Sequence, residues 1–142
     1  MPRTAAQYEE IRQSRRQEIL EAALIVFAES SYHAASVSQI AKKAGISKGL
    51  MYNYFNSKEE LLQTLMSSIV SQITDILDID LEVPVDDKMM EGYIDASFEM
   101  IKKDPRHMRL YFSLFTQQEV IHLTMKEMVS SMAPFIQRLV EY

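Results

Sequence analysis

Ser36-Val-Ser-Gln-Ile-Ala-Lys-Lys-Ala-Gly45-Ile-Ser-Lys-Gly-Leu-Met-Tyr52-Asn-Tyr-Phe-Asn-Ser-Lys58 is the stretch from which the fold follows. Val37, Ile40, Ala41 and Ala44 fall at the i, i+3, i+4, i+7 spacing of one buried helical face, which predicts a helix over 37–44. Ser36, with Gln39 three residues on, forms a capping box at its start. Gly45 stands where that helix must stop, because glycine enters the left-handed conformation at little cost. Ile46 then returns to the core, and Ser47 caps a third helix over 48–55 whose buried face is Met51 and Phe55. Lys48, Gly49, Leu50, Tyr52, Asn53 and Tyr54 are left around the remaining surface. Two helices joined by a glycine turn, with a lysine and two tyrosines on the second, form a helix-turn-helix, which presents a helix to the DNA major groove. In that reading Lys48, Tyr52 and Tyr54 hold phosphates, while Lys48 and Asn53 also reach base edges. The competing reading is a packed three-helix unit with exposed tyrosines.

Outward from this stretch, helix punctuation continues in both directions. Thr4 with Gln7, Ser57 with Glu60 and Thr116 with Glu119 have capping-box spacing, Asp86 is a further cap, and Asp104-Pro105 places an acidic cap before proline at a first helical position. These marks predict helices over about 4–30, 58–77, 87–103, 105–115 and 117–142, the last interrupted by a kink at Pro134. Ile19, Ala23, Val26 and Phe27 give the first its apolar stripe. Leu61, Leu62, Leu65, Met66, Ile69 and Ile73 do the same for the fourth. An acidic loop over 78–86 separates the fourth helix from the fifth. No strand alternation persists, so the expected fold is all-α: an N-terminal three-helix unit followed by a helical bundle.

The chain has 142 residues, with 47% hydrophobic and 25% charged residues, a globular balance. It contains no cysteine, which excludes disulfides, thiolate metal sites and cysteine nucleophiles and fits a reducing compartment. There is no signal peptide and no apolar run long enough to span a bilayer, so a cytoplasmic protein without a membrane partner is expected. The net charge of −5 is unevenly spread. Residues 1–58 hold eight Lys/Arg against five Asp/Glu, whereas residues 59–142 hold seven against fifteen. A basic first part on an acidic second part suits a DNA module (residues 1–58) joined to a helical effector-binding and dimerisation region (residues 59–142) that does not touch DNA.

The series Ser36-Val-(x2)-Ile-Ala-(x2)-Ala-Gly-Ile-Ser-(x)-Gly-(x)-Met-Tyr-(x)-Tyr-Phe-(x2)-Lys-(x)-Glu-Leu-Leu closely resembles the DNA-binding signature of the tetracycline-repressor (TetR) family of bacterial transcriptional regulators, over about Ile19 to Leu62. The resemblance implies that Ser36 caps the second helix and touches a phosphate, and that Ser38 reaches toward a base. It makes Ser47, Lys48, Gly49 and Leu50 the sequence-reading start of the recognition helix, and Tyr52, Tyr54 and Lys58 phosphate contacts. Leu50 has two readings, a thymine-methyl contact or a partly buried core residue. Two positions depart from the family pattern. Ser31 replaces the usual glycine before Tyr32, which implies an exit from the first helix that is either strained or longer. Met51 replaces leucine, a volume-conserving exchange. The arginines Arg3, Arg12, Arg15 and Arg16 either add phosphate contacts or form a solvated face with the interleaved glutamates.

Beyond the signature only the helical layout agrees with the family, in which the later helices bind a small effector. Residues 59–142 contain eight of the ten methionines together with Tyr93, Phe98, Tyr111, Phe112 and Phe115. Such walls suit an adaptable pocket for an apolar or amphipathic effector, although for any one of these residues plain core filling is the commoner role. Helix faces suggest Met66, Ile73, Tyr93, Ser97, Phe112 and Met128 as its lining. Glu91, Asp95 and Glu99 form either a cation-attracting or a solvated stripe. Family members dimerise through two further helices that this chain is expected to lack, so its homodimer would need the longer form. Scattered histidines, a single Glu119-x-x-His122 and no phosphate loop offer neither catalysis, nor a metal site, nor a cofactor. The expected function is a ligand-responsive repressor that binds a palindromic operator in double-stranded DNA. The alternative is a helical protein-interaction module with a structural helix-turn-helix.

Overall fold

A computed structural model describes residues 1–80 and 82–142; Leu81, inside the expected 78–86 loop, lies outside the described residues. These residues form seven helices: α1 (Ala5–Ser30), α2 (Val37–Ala44), α3 (Lys48–Tyr52), α4 (Lys58–Ile76), α5 (Asp87–Lys103), α6 (Pro105–Phe115) and α7 (Gln118–Glu141). Among the described residues there is no strand. None of the helices is long and apolar enough to cross a membrane.

The starts follow the sequence rules closely. Thr4 and Gln7 exchange both capping-box hydrogen bonds, as do Ser36 and Gln39. Ser57 accepts from the Glu60 N–H (3.0 Å), but the Glu60 carboxylate reaches one residue further back, accepting from the Asn56 N–H at 2.8 Å. Asp86 and Asp104 cap α5 and α6 through their carboxylates. Gly45 adopts φ 73°, ψ 29°. Its N–H donates to Lys42 O (3.2 Å) and that of Ile46 to Ala41 O (3.0 Å), the paired bonds of a Schellman stop.

Two expectations need correction. Thr116 does not cap α7. It closes α6, its hydroxyl donating to Ser113 O (3.1 Å), and α7 starts behind Gln117 without a side-chain cap. The Gln117 amide is committed elsewhere. The third helix ends at Tyr52 rather than Phe55, because Asn53 N–H and Tyr54 N–H bond to Leu50 O and Met51 O in a tightened i+3 turn. That turn delivers Phe55 into the core, where it is 2% exposed. Pro134 lies inside α7.

One hydrophobic cluster joins the two parts of the chain. Ile19, Ala23 and Phe27 of α1 meet Ile40 of α2, Met51 of α3 and Leu61, Leu62 and Ile69 of α4, and the cluster continues into Leu114 of α6 and Val120 of α7. By contrast α5 buries only Tyr93, which packs edge-on against Phe135 (5.8 Å) and has no hydrogen-bond partner for its hydroxyl. Its residues Ile94, Phe98 and Ile101 are exposed, as are Ile121, Met125 and Val129 on one stripe of α7.

The exit of α1 takes the strained of its two readings. Ser31 sits at φ 71°, ψ 153°, a region that is almost the preserve of glycine. Its hydroxyl accepts from the Ala34 N–H at 3.2 Å. Ser31→Gly should relieve about 1–3 kcal/mol of strain against about 0.5–1 kcal/mol of added chain entropy. The expected outcome is a Tm higher by a few degrees in a thermal melt, whereas Ser31→Ala, which keeps the strain and loses the hydroxyl, should lower it.

Candidate nucleic-acid interface

The local chemistry of 36–58 leaves a polar surface on one side of the molecule. Ser36, Ser38, Ser47, Lys48, Gly49, Tyr52 and Asn53 are all exposed, and Leu50, Tyr54 and Lys58 are half-buried. The caps orient this surface. Ser36 Oγ accepts from the Gln39 N–H (3.1 Å) and Ser47 Oγ from the Leu50 N–H (3.0 Å), so each hydroxyl proton remains available to an outside acceptor. A Cβ placed on Gly49 meets nothing within 4 Å, so this glycine opens the start of α3 to close approach rather than relieving a clash. Leu50 is not among the half-buried side chains packed on the core, which favours the protruding of its two readings.

The aromatic end of α3 is braced from α1. The Arg12 guanidinium lies over the Tyr54 ring and that of Arg16 over the Phe55 ring, both at 4.8 Å. In this geometry the two arginines pack against the aromatic residues that follow α3. Tyr54 itself packs on the core, with Tyr52 the more exposed of the pair.

Lys58 departs from its expected place in a phosphate clamp. Its ammonium donates to the carbonyls of Tyr32 (2.9 Å), Ala35 (3.2 Å) and His33 (3.5 Å) and lies 4.4 Å from the centre of the Tyr32 ring. Two close carbonyl acceptors and a third at 3.5 Å engage the ammonium in this geometry. In this geometry Lys58 ties the start of α4 to the turn between α1 and α2.

Gln117 holds the same turn from the other side, a role that reading the sequence missed. Its Nε2 donates to Phe27 O (2.7 Å), and its Oε1 accepts from the Tyr32 N–H (2.7 Å). One amide thus satisfies a carbonyl left over at the end of α1 and the N–H of the second residue beyond it. Ser113 Oγ donates to Ala28 O (2.9 Å), and Glu119 faces His33 at 3.5 Å. Seven residues earlier on α1, Glu21 accepts from His107 of α6 (2.8 and 3.0 Å). No local periodicity could have revealed partners 85 to 90 residues apart. Only the Asp104–His107 pair, at 2.7 Å, is local, three residues apart.

The six residues expected to line an effector pocket do not come together. Met66 and Met128 line a cavity of about 320 Å³ between α4 and α7, floored by Thr124. Ile73 lines a different and larger one, about 930 Å³, between α1, α4, α5 and α6, with Leu20, Leu24, Leu65 and Met100 in its walls and Tyr111 and His107 at its polar end. Tyr93 and Ser97 line neither, and Ser97 Oγ donates to Tyr93 O (2.7 Å). Phe112 points away from the bundle, 73% exposed. Glu91, Asp95 and Glu99 are exposed, and Glu99 pairs with Lys102 at 3.1 Å.

With this geometry in hand, comparison with known proteins is specific. Residues 19–65 match the family described as bacterial regulatory proteins, tetR family. Residues 19–65 are thus a TetR-family DNA-binding segment. The HTH-type transcriptional activator FasR of Mycolicibacterium smegmatis is 33% identical over 102 residues, 71% of this chain and 47% of FasR. The fatty acid metabolism regulator protein of Bacillus subtilis is 38% identical over 65 residues, 46% of this chain and 34% of that regulator. The chain therefore spans half or less of the length of these curated relatives. Among solved structures, the fatty acid degradation regulator FadR from Bacillus halodurans superimposes with a TM-score of 0.68 at 26% identity, covering 89% of this chain and 67% of that one.

The two lysines should separate cleanly in experiment. Lys48→Ala should leave stability unchanged and reduce the slope of log affinity against log salt by about 1 on any duplex the protein binds. Lys58→Met should leave that slope unchanged and cost about 2 kcal/mol in urea unfolding, because three carbonyls lose a charged donor.

Proposed function

We propose that this chain is a TetR-family DNA-binding transcriptional regulator, acting in the cytoplasm as a ligand-responsive repressor on a palindromic operator, and that it is a binding protein rather than an enzyme. The observation that carries the reading is the exposed, serine-capped surface of α2 and α3, braced from behind by Arg12 and Arg16. In this reading residues 1–58 form the DNA-binding unit. Ser36, Ser47, Tyr52 and Tyr54 position the duplex, and Ser38, Lys48, Gly49, Leu50 and Asn53 meet its base edges.

A palindrome requires two reading heads about one helical turn, ~34–36 Å, apart. The exposed stripes on α5 and α7 support a homodimer built through the second region, residues 59–142, since apolar faces of this size ordinarily pack against another helical surface. Effector control is supported by α4, which lines both cavities while its first residue, Lys58, grips the turn that enters α2. A ligand that spreads either cavity displaces α4 and with it the head; it represses or induces only through its different affinity for the two positions. The cavity volumes and aliphatic walls suit an apolar or amphipathic molecule. That relatives are named as fatty acid regulators agrees with an elongated acyl ligand.

The decisive test is selection of a duplex from a random pool, followed by fluorescence-anisotropy titration across salt. Affinity should fall about a thousandfold between 50 and 200 mM salt, because phosphate counterions are released. An interaction that ignores salt, or no selected sequence at all, would point to a protein-interaction module. For the effector, saturated fatty acids of increasing chain length should raise the Tm. Ala96→Phe, which fills the larger cavity from α5, should abolish that rise while DNA affinity without ligand stays within about twofold.

A further inference from the structure

We propose that His107 is a positioning residue for the helix-turn-helix, tying α1 to the start of α6 only while both of its ring nitrogens carry a proton. The inference rests on the DNA-binding reading above and adds to it a means of regulation.

The geometry begins with two helices latched at two points. Toward its C-terminal end, α1 is held by the Ser113 hydroxyl on Ala28 O and by the Gln117 amide on Phe27 O. Those donors are neutral and do not titrate near neutral pH. About 10 Å back along both helices, seven residues on α1 at 1.5 Å each, the second latch is the Glu21–His107 contact. Here Nε2 lies 2.8 and 3.0 Å from the two Glu21 oxygens, and Nδ1 lies 2.7 Å from Asp104 Oδ2. Carboxylates are acceptors only, so a ring that serves both must donate from both nitrogens, and the species that fits is imidazolium. Loss of one proton leaves a lone pair aimed at a carboxylate. The Asp104 contact is local to the first turn of α6 and persists most easily, so the contact that opens is the one to α1.

The surroundings favour the charged form. The Glu21 hydrogen bond raises the His107 pKa above its ordinary 6.5 against the opposing effect of burial, with the charges of Glu21 and Asp104 adding to the rise. The backbone N–H of His107 in turn holds Asp104 below the usual carboxylate range. Tyr111 meets the ring edge-on at 6.0 Å. From α5, Glu99 and Lys102 neutralise one another and Lys103 lines the same cavity, while α4 brings no charged side chain to it among the described residues. Since the folded-state pKa is raised, the latch is complete below about pH 6.5 and is lost as pH climbs through the raised value.

The mechanical consequence follows from where α1 leads. Its opposite face, Ile19, Ala23 and Phe27, is core to the reading head. With both latches closed, head and bundle move as one body. With the His107 latch open, the head pivots about the Gln117 end, and DNA binding must then fix that freedom at a cost in affinity. The cavity between α1, α4, α5 and α6, whose polar end is His107, is the space into which the pivot moves.

The test follows anisotropy of a selected duplex from pH 6.0 to 8.5 at constant salt for the wild type, His107→Gln, Glu21→Gln and, as a control at the other histidine facing a glutamate, His33→Gln. Wild type and His33→Gln should share a decline of about fivefold, the lower end of linked-site coupling, beyond any decline seen in the other two variants. A double-mutant cycle of Glu21→Gln with His107→Gln in thermal unfolding, without DNA, should give coupling at pH 6.0 that is absent at pH 9.5. Equal pH profiles for wild type and His107→Gln overturn the positioning role, and a cycle without pH-dependent coupling overturns the latch. If no duplex binds at any pH, both the function and the positioning role fall, while coupling in the cycle would show that the ion pair itself exists.

Discussion

The amide of Gln117 and the ammonium of Lys58 grip the same short turn, Ser31 to Ala35, from opposite sides, and the arrangement of the remaining helices depends on that grip. The turn leaves α1 in a conformation that serine dislikes and delivers the chain into α2, so its backbone groups cannot be satisfied by either helix. Two side chains from distant helices satisfy them instead. Since one comes from α4 and the other from the α6–α7 corner, the turn that aims the helix-turn-helix is also where the bundle meets it.

Two kinds of interaction therefore divide the labour. Apolar burial, centred on Phe27, Met51, Leu62 and Leu114, supplies cohesion but little direction, because the hydrophobic effect scales with area and not with angle. Direction comes from a handful of hydrogen bonds: Gly45's stop, Lys58, Gln117, Ser113 and His107. Each of these is short, and each fixes one element against another at a defined residue. The two cavities lie one on each side of α4.

The parts of the interface that were legible beforehand are those whose causes are local. Ser36 with Gln39, Ser47 and Gly45 act within four residues of themselves, and sequence spacing carries that information directly. Ser31 at a glycine position left two readings, a strained or a longer exit from the first helix, and its positive φ selects strain. The misreadings share the opposite origin. Thr116 and Glu119 had the right spacing for a cap, but tertiary contacts drew Gln117 and Glu119 toward α1 and its turn. Lys58 matched a phosphate-contacting position, yet three carbonyls 23 to 26 residues away reach its ammonium first. Phe112 and Met128 looked alike on a helical wheel, and only packing shows that one faces solvent and the other a cavity.

By itself, then, the sequence determined the helices, most of their starts, the glycine turn and the polar face of α3, because helix periodicity and capping are written over three or four residues. Only the tertiary structure decided which surfaces are free. Whether a lysine is available to a phosphate, a histidine is held between two carboxylates, or an aromatic lines a pocket depends on partners brought close by the packing of α1 against α4 and α6. Burial and charge pairing are properties of neighbours in space, and a linear pattern does not contain them.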